Sequence, residues 1–252
     1  MTISISKQSH VGKVRKNNED NLTSIDFTHA TDHHLVLVSD GVGGNVFGEV
    51  ASQTAVDVFE DLAKQKMLDV AFDTAMRNAM LEMSARRAHL AIADRSKNDA
   101  QYRGMSCTLI AALIDPQTVG FVNVGDSRLY HFSGSNLKQV SQDQTIAMAL
   151  YQDGRIGADD LTTHPDRNVL QFALGVEGLN NPLEPQVAQF SWQAGDKILL
   201  CSDGLTDMVG DADIQHTLQT LSGEHAINSL IEQALAAGGK DNVTLILAEN
   251  NQ

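Results

Sequence analysis

Only four prolines interrupt this 252-residue chain, and no Pro- or Ser-rich tract, internal repeat or low-complexity run divides it. A flexible linker between two domains has little support, so residues 1–252 read as one domain. Cysteine is equally scarce. Cys107 and Cys201 lie far apart in apolar runs, which excludes a disulfide framework and a Cys-x-x-Cys metal site and leaves two buried thiols, as suits a reducing cytosol. Positive charge is in short supply, with 18 Lys and Arg against 32 Asp and Glu. Nucleic acid and anionic lipid are held by clustered Lys and Arg, so neither is an expected partner at a net charge of −14. No apolar run approaches the roughly 20 residues of a membrane span, and Met1 to Asp20 has no apolar h-region. The expectation is an acidic, soluble, cytoplasmic monomer.

Several familiar site signatures are missing too. Gly41-Val42-Gly43-Gly44 lacks the Lys-Ser/Thr of a phosphate loop and the glycine spacing of a dinucleotide fold. There is no Gly-x-Ser-x-Gly elbow, no His-Glu-x-x-His helix and no Asp-x-Asp-x-Asp-Gly calcium loop, and the nine histidines are dispersed.

What is present is a clear division of labour along the chain. Ser4 to His10 alternates weakly and suits an edge strand, and Leu35 to Val38 reads as a buried strand ending at Ser39-Asp40-Gly41. Glu49 to Gln65 and Asp69 to Asp94 carry apolar residues at helical spacing: Ala51, Ala55, Val58, Phe59 and Leu62, then Phe72, Met76, Ala79, Met80 and Met83. Cys107–Ile114, Thr118–Val124, Arg128–Phe132 and Leu137–Val140 are short runs parted by turn signals, the pattern of an antiparallel meander. Residues 145–181 are polar and irregular, with a short helix near Ile146 to Gln152, and suit a surface insertion. Val187–Phe190, Lys197–Cys201 and Val243–Ala248 read as further strands, with helices at Ile214–Leu221 and Glu224–Ala237. Strands in blocks with helices grouped apart predict an α+β layered sandwich.

Five acidic positions share a setting at the ends of apolar runs or beside glycine: the pair Glu19-Asp20, Asp40, Asp126, Asp203 and Asp241. If those ends converge, several carboxylates meet at one rim, and each raises the pKa of its neighbours. Divalent cations compensate such a cluster, and oxygen-only ligands favour Mg²⁺ or Mn²⁺ over zinc or copper. Five unrelated turn aspartates are the competing explanation.

The flanking residues decide against that explanation. Val14-Arg15-Lys16-Asn17-Asn18-Glu19-Asp20-Asn21, Asp40-Gly41-Val42-Gly43-Gly44, Gly125-Asp126-Ser127-Arg128, Ser202-Asp203-Gly204-Leu205 and Asp241-Asn242-Val243-Thr244 follow one another in this order over nearly the whole chain. In these motifs the chain resembles the PP2C-type (PPM) metal-dependent Ser/Thr protein phosphatases in their compact bacterial form.

The resemblance implies a four-layer α/β/β/α sandwich, two central antiparallel sheets flanked by helix pairs, with residues 145–181 in the place of the family's flap. It implies that Asp40 bridges two metals, with the Gly41 carbonyl on the second, and that Asp203 and Asp241 hold the first. Glu19 and Asp20 act near the second metal, partly through its waters. Asp126 joins Asp203 on a third metal, and Arg15 grips the substrate phosphate. Hydrolysis of phosphoserine or phosphothreonine is then carried out by a hydroxide bridging two Mn²⁺ or Mg²⁺ ions about 3.5–4 Å apart, its pKa lowered towards about 7. The catalytic set is Arg15, Asp40, Asp203 and Asp241. The expected partners are phosphoproteins made by a cognate Ser/Thr kinase.

Four positions depart from the pattern. Val42 stands where many eukaryotic members carry a histidine that protonates the leaving group, Gln144 replaces a histidine common in bacterial relatives, and Gln171-Phe172 replaces a common Thr-Arg. They leave the carboxylates intact and bear on substrate preference and the flap. Two other readings stay open here, a non-catalytic phosphoprotein scaffold and a hydrolase of small phosphate esters.

Overall fold

Leu35-Val36-Leu37-Val38 has no polar alternation because both of its faces are covered. Leu35 and Leu37 join one apolar core with the first two helices, while Val36 and Val38 join a second core between two sheets. The same division recurs in Lys197–Cys201, where Ile198 and Leu200 face the sheet interface and Leu199 and Cys201 face a third core under the last helices. Strand side chains alternate strictly in direction, so an uninterrupted apolar run is what a strand in the middle of four layers requires.

The structure is a computed structural model and describes residues 2–27, 33–42, 47–65, 74–176 and 183–251. Gly43 and Gly44 of the glycine run, Phe72 of the second helix and residues 177–181 of the irregular segment lie outside the described residues.

One five-stranded sheet has the order β1-β12-β11-β8-β9, formed by Thr2–His10, Val243–Asn251, Lys197–Cys201, Arg128–Ser133 and Asn136–Gln139. The other has the order β10-β7-β6-β3-β2, formed by Gln186–Ser191, Thr118–Val124, Leu109–Ile114, His34–Ser39 and Asn21–Asp26. All pairings within both are antiparallel. A two-stranded ribbon, β4 (Gly41–Val42) with β5 (Ser106–Cys107), closes one end. Helices α1 (Gly48–Lys64) and α2 (Thr74–Asn98) cover one sheet, and α5 (Asp211–Thr220) and α6 (Gly223–Ala236) cover the other. Short α3 (Ile146–Gln152) and α4 (Asp203–Thr206) sit between. The expected α+β sandwich of two antiparallel sheets with flanking helices is the observed one.

Three expectations are corrected. The predicted meander is two hairpins in different sheets, β6-β7 and β8-β9, because the chain crosses between sheets at Gly125. Gly125 has φ +102°, and a Cβ there would stand 2.8 Å from the Thr108 methyl, so only glycine makes this crossing without strain. Strand β2 is not foreshadowed in its text, Asn-Leu-Thr-Ser-Ile-Asp, which has two apolar residues and lies at a sheet edge. The buried face of α2 is Leu81, Ala85, Ala88 and Ile92 together with Arg77 and Ser84, whereas Met76 is half exposed. Two polar residues on the inward face hide its true phase. Arg77 is satisfied there by an ion pair with Asp115 at 2.6 Å.

Candidate metal centre

Strand registers place the acidic residues. Asn21 pairs with Ser39 in the β2–β3 ladder, so Asp20 and Asp40 lie one step beyond it on adjoining chains. Cys201 pairs with Leu245 in β11–β12 and with Arg128 in β11–β8. The next residues on these strands lead to Asp203, Asp241 and Asp126. The two sheets therefore deliver their carboxylates to a common end, lined by Arg15, Asp40, Gly41, Val42, Thr108, Asp126, Asn168, Leu170, Asp203 and Asp241. Asn168 and Leu170 come from the irregular segment.

Hydroxyls and amides that the sequence reading left without roles fix these groups. The Thr108 hydroxyl accepts from the Asp40 amide at 3.0 Å, and the Thr108 amide donates to the Asp40 carbonyl at 2.8 Å. The Ser202 hydroxyl donates to Asp20 Oδ2 at 2.8 Å and accepts from the Thr244 amide at 3.0 Å. Asn242 Oδ1 accepts from the Glu19 amide at 2.8 Å while its Nδ2 donates to the Val11 and Asn17 carbonyls, at 2.9 and 3.0 Å. One buried amide thereby holds the loop that carries Arg15. Ser202 and Asn242 were visible only as neighbours of motif aspartates, and Thr108 as a polar interruption in an apolar run. Gly48 left no signal. A Cβ on Gly41 would fall 2.4 Å from the Gly48 carbonyl carbon, so these two glycines permit β4 to touch the start of α1.

The electrostatics are those of crowded, buried carboxylates. Burial, followed by the charges of Asp20, Asp203 and Asp126, pushes Asp40 well above the carboxylate range. Burial and then Asp241 and Asp207 push Asp203 up to about 7. Burial lifts Asp20 to about 6 against hydrogen bonds from Thr244 and Ser202, and burial followed by Asp203 and Asp143 raises Asp126. Glu19 is raised by burial and then by Glu49. Arg15 Nη2 contacts Asp241 Oδ2 at 2.6 Å.

Among the described residues, no three His, Cys, Asp or Glu side chains are already closed around one point. The Arg15 guanidinium instead occupies Asp241 Oδ2, one of the carboxylate oxygens that a cation would take. The donor set nevertheless suits hard divalent ions. Asp20 Oδ1 and Asp203 Oδ1 are buried with no hydrogen-bond partner, all ligating candidates are oxygens, and buried like charges need positive charge beside them.

These shifts carry a sign. A carboxylate with a raised folded-state pKa stabilises the fold below its unfolded pKa, near 4, and that contribution is lost as pH rises through the folded value. Chelator-treated protein should therefore lose thermal stability between about pH 4 and 7, the window set by Asp20 and Asp203. Thermal unfolding from pH 4 to 8, with EDTA or with Mn²⁺, checks this. Added Mn²⁺ should recover the loss at pH 7, and a metal-free melting temperature that rises across the window would count against it.

Comparison with known proteins agrees with the geometry. Residues 9–242 match the family described as protein phosphatase 2C. The chain belongs to the protein phosphatase 2C family. It is a metal-dependent protein serine/threonine phosphatase, similar to the serine/threonine phosphatase Stp of Listeria welshimeri, with 33% identity over 244 residues covering 95% of this chain and 93% of that one. The crystal structure of the Mycobacterium tuberculosis phosphatase PstP superposes with a TM-score of 0.86 at 33% identity, covering 100% of both chains. A structure of the catalytic domain of a phosphatase of the same name, PstP, in complex with two manganese ions matches with a TM-score of 0.81 at 32% identity, covering 98% of this chain and 97% of that one.

Proposed function

We propose that this protein removes phosphate from phosphoserine and phosphothreonine in proteins with two Mn²⁺ or Mg²⁺ ions at the carboxylate cluster. The observation that carries the reading is the convergence of Asp40, Asp126, Asp203 and Asp241 from both sheets at one cleft, with Asp20 bound to Ser202 next to Asp203 and with a buried oxygen of Asp20 and one of Asp203 unpartnered. Asp40 would lie between the two ions, with the Gly41 carbonyl on the second and Glu19 and Asp20 acting beside it. Asp203 and Asp241 would hold the first, and Asp126 with Asp203 a third. The ions would supply the positive charge that acidifies water and offsets phosphate charge.

The remaining chemistry belongs to the chain. Arg15 stands partly exposed at the cleft mouth, where its planar fork matches two phosphate oxygens. Val42 lines the cleft and offers no proton to the departing serine or threonine oxygen. Neither cysteine is a nucleophile. Both are fully buried, and burial pushes each thiol up to about 12.

In this reading residues 1–252 form one catalytic domain and 145–181 its flap. No helix among the described residues is long and apolar enough to cross a membrane. The protein would act as a cytoplasmic monomer that reverses a cognate Ser/Thr kinase. Turnover of p-nitrophenyl phosphate, a phosphothreonine peptide and a phosphoprotein tests the substrate class. The proposal expects Mn²⁺-dependent release from the peptide and the protein. Binding without release would make the chain a scaffold, and turnover confined to the small ester would contradict a protein substrate.

Asp126 has its own expected result. Asp126→Ala should leave the paired ions bound and lower activity, with more Mn²⁺ needed for half-maximal rate. A metal titration by initial rates checks this, and wild-type behaviour would return Asp126 to an ordinary turn.

A further inference from the structure

Gln144 lies at the meeting point of three parts of the chain. Its amide donates to the Gly125 carbonyl at 2.9 Å, and its side-chain Oε1 accepts from the Gly125 amide at 2.9 Å. Both polar groups of the glycine that precedes Asp126 are therefore held by one residue. Gln144 Nε2 donates to the Glu184 carbonyl at 2.8 Å, and the Gln144 carbonyl accepts from the Gln171 amide at 2.8 Å. The next residue, Thr145, bridges Leu170, and the Ile146 amide donates to Val169 at 2.8 Å. One side of Gln144 thus grips the turn that crosses between sheets, and the other grips the returning end of the segment whose Asn168 and Leu170 line the cleft.

The side chain fits in only one sense. Its carbonyl faces a backbone N–H and its NH₂ faces a backbone carbonyl, so the amide serves as an extra peptide unit between the two. The grip matters because of what it holds. Gly125 has φ +102°, and glycine is the residue that loses most conformational freedom on ordering, so the bonds that hold it also fix Asp126, which follows directly. A ligand's position depends on such supporting bonds.

We propose that the Gln144 side chain is a positioning group, one that aims Asp126 by tying the Gly125 turn to the Glu184 carbonyl ahead of β10. The proposal rests on the reading of Asp126 as a metal ligand. Gln144 touches no reacting atom, so its loss should appear as a higher Mn²⁺ requirement rather than as a lower ceiling on rate.

The test is a Mn²⁺ titration of p-nitrophenyl phosphate hydrolysis by wild type, Gln144→Leu, Gln144→His and Asp126→Ala, with amide exchange at Gly125 followed in parallel. Gln144→Leu removes both side-chain bonds. It should raise half-saturating Mn²⁺ about tenfold, the scale on which supporting partners act. Its kcat at saturating Mn²⁺ should stay within about threefold of wild type, while the Gly125 amide exchanges faster. Gln144→His at pH 8 presents a neutral imidazole with one acceptor and one donor nitrogen, and should return half-saturation to within about threefold of wild type. A folded Gln144→Leu enzyme with wild-type half-saturation overturns the proposal. If that variant does not fold, a tenfold shift in folded Gln144→His overturns it instead, and a wild-type value supports it. A shift in Asp126→Ala confines any failure to Gln144, whereas no shift there removes the reading of Asp126 and this proposal together.

Discussion

Asp40→Asn is expected to abolish turnover and, in the same protein, to raise the melting temperature measured in chelator. Asp40 lines the cleft with Asp126, Asp203 and Asp241 and is pushed well above the carboxylate range by burial and then by Asp20, Asp203 and Asp126. In the proposed arrangement it is the ligand common to both ions. Metal charge at a phosphoryl centre is worth several kcal/mol, and each 1.36 kcal/mol is tenfold in rate, so kcat should fall by about a thousandfold or more. Stability should move the other way. At neutral pH a carboxyl whose pKa is raised in the metal-free fold costs stability, through either proton uptake or a repelling buried charge, and an amide of the same shape removes that cost. Each kcal/mol relieved raises the melting temperature by about 2–4 °C in a chain of this size. Steady-state rates and thermal unfolding in EDTA check the two halves. A variant less stable than wild type in chelator would show that Asp40 serves the fold rather than the ions.

Arg15→Ala is expected to lower kcat/KM about ten- to a hundredfold, the loss of a charge-assisted bond worth roughly 1.5–3 kcal/mol. The structure adds an expectation that the motif alone does not carry. Arg15 contacts Asp241 Oδ2 at 2.6 Å, so its guanidinium competes with a cation for a ligand oxygen. Removing it should leave Mn²⁺ affinity unchanged or tighter while substrate handling collapses. Arg15→Lys should restore part of the rate, because a point charge lacks the planar fork. Phosphothreonine-peptide kinetics paired with calorimetric Mn²⁺ binding separates the two effects. Unchanged kcat/KM would mean that Arg15 does not grip the phosphate. Weaker Mn²⁺ binding would mean that Arg15 supports the site instead of competing for it.

Asp40, Asp203 and Asp241 were legible because each ends or begins an apolar strand, and strand ends are where a layered sandwich gathers side chains. The sheets were legible because strands covered on both faces read as unbroken apolar text. What stayed hidden depends on long-range pairing. Strand β2 has an edge strand's polar composition, yet its register with β3 is what brings Asp20 beside Asp40. The crossing at Gly125 looks like any glycine turn until Thr108 is found packed against it. Asn242 and Gln144 are ordinary amides in sequence. Their importance lies in satisfying backbone groups 225 and 19 residues away, which no local spacing reveals.

The most direct test of the central claim is phosphate release from a phosphothreonine peptide by metal-stripped protein titrated with Mn²⁺, alongside calorimetry of Mn²⁺ binding to the same preparation. The two-ion account predicts no release in EDTA, recovery on adding Mn²⁺, at least two ions bound per chain, and no recovery in Asp40→Asn. Undiminished release from protein shown to contain no metal would contradict it.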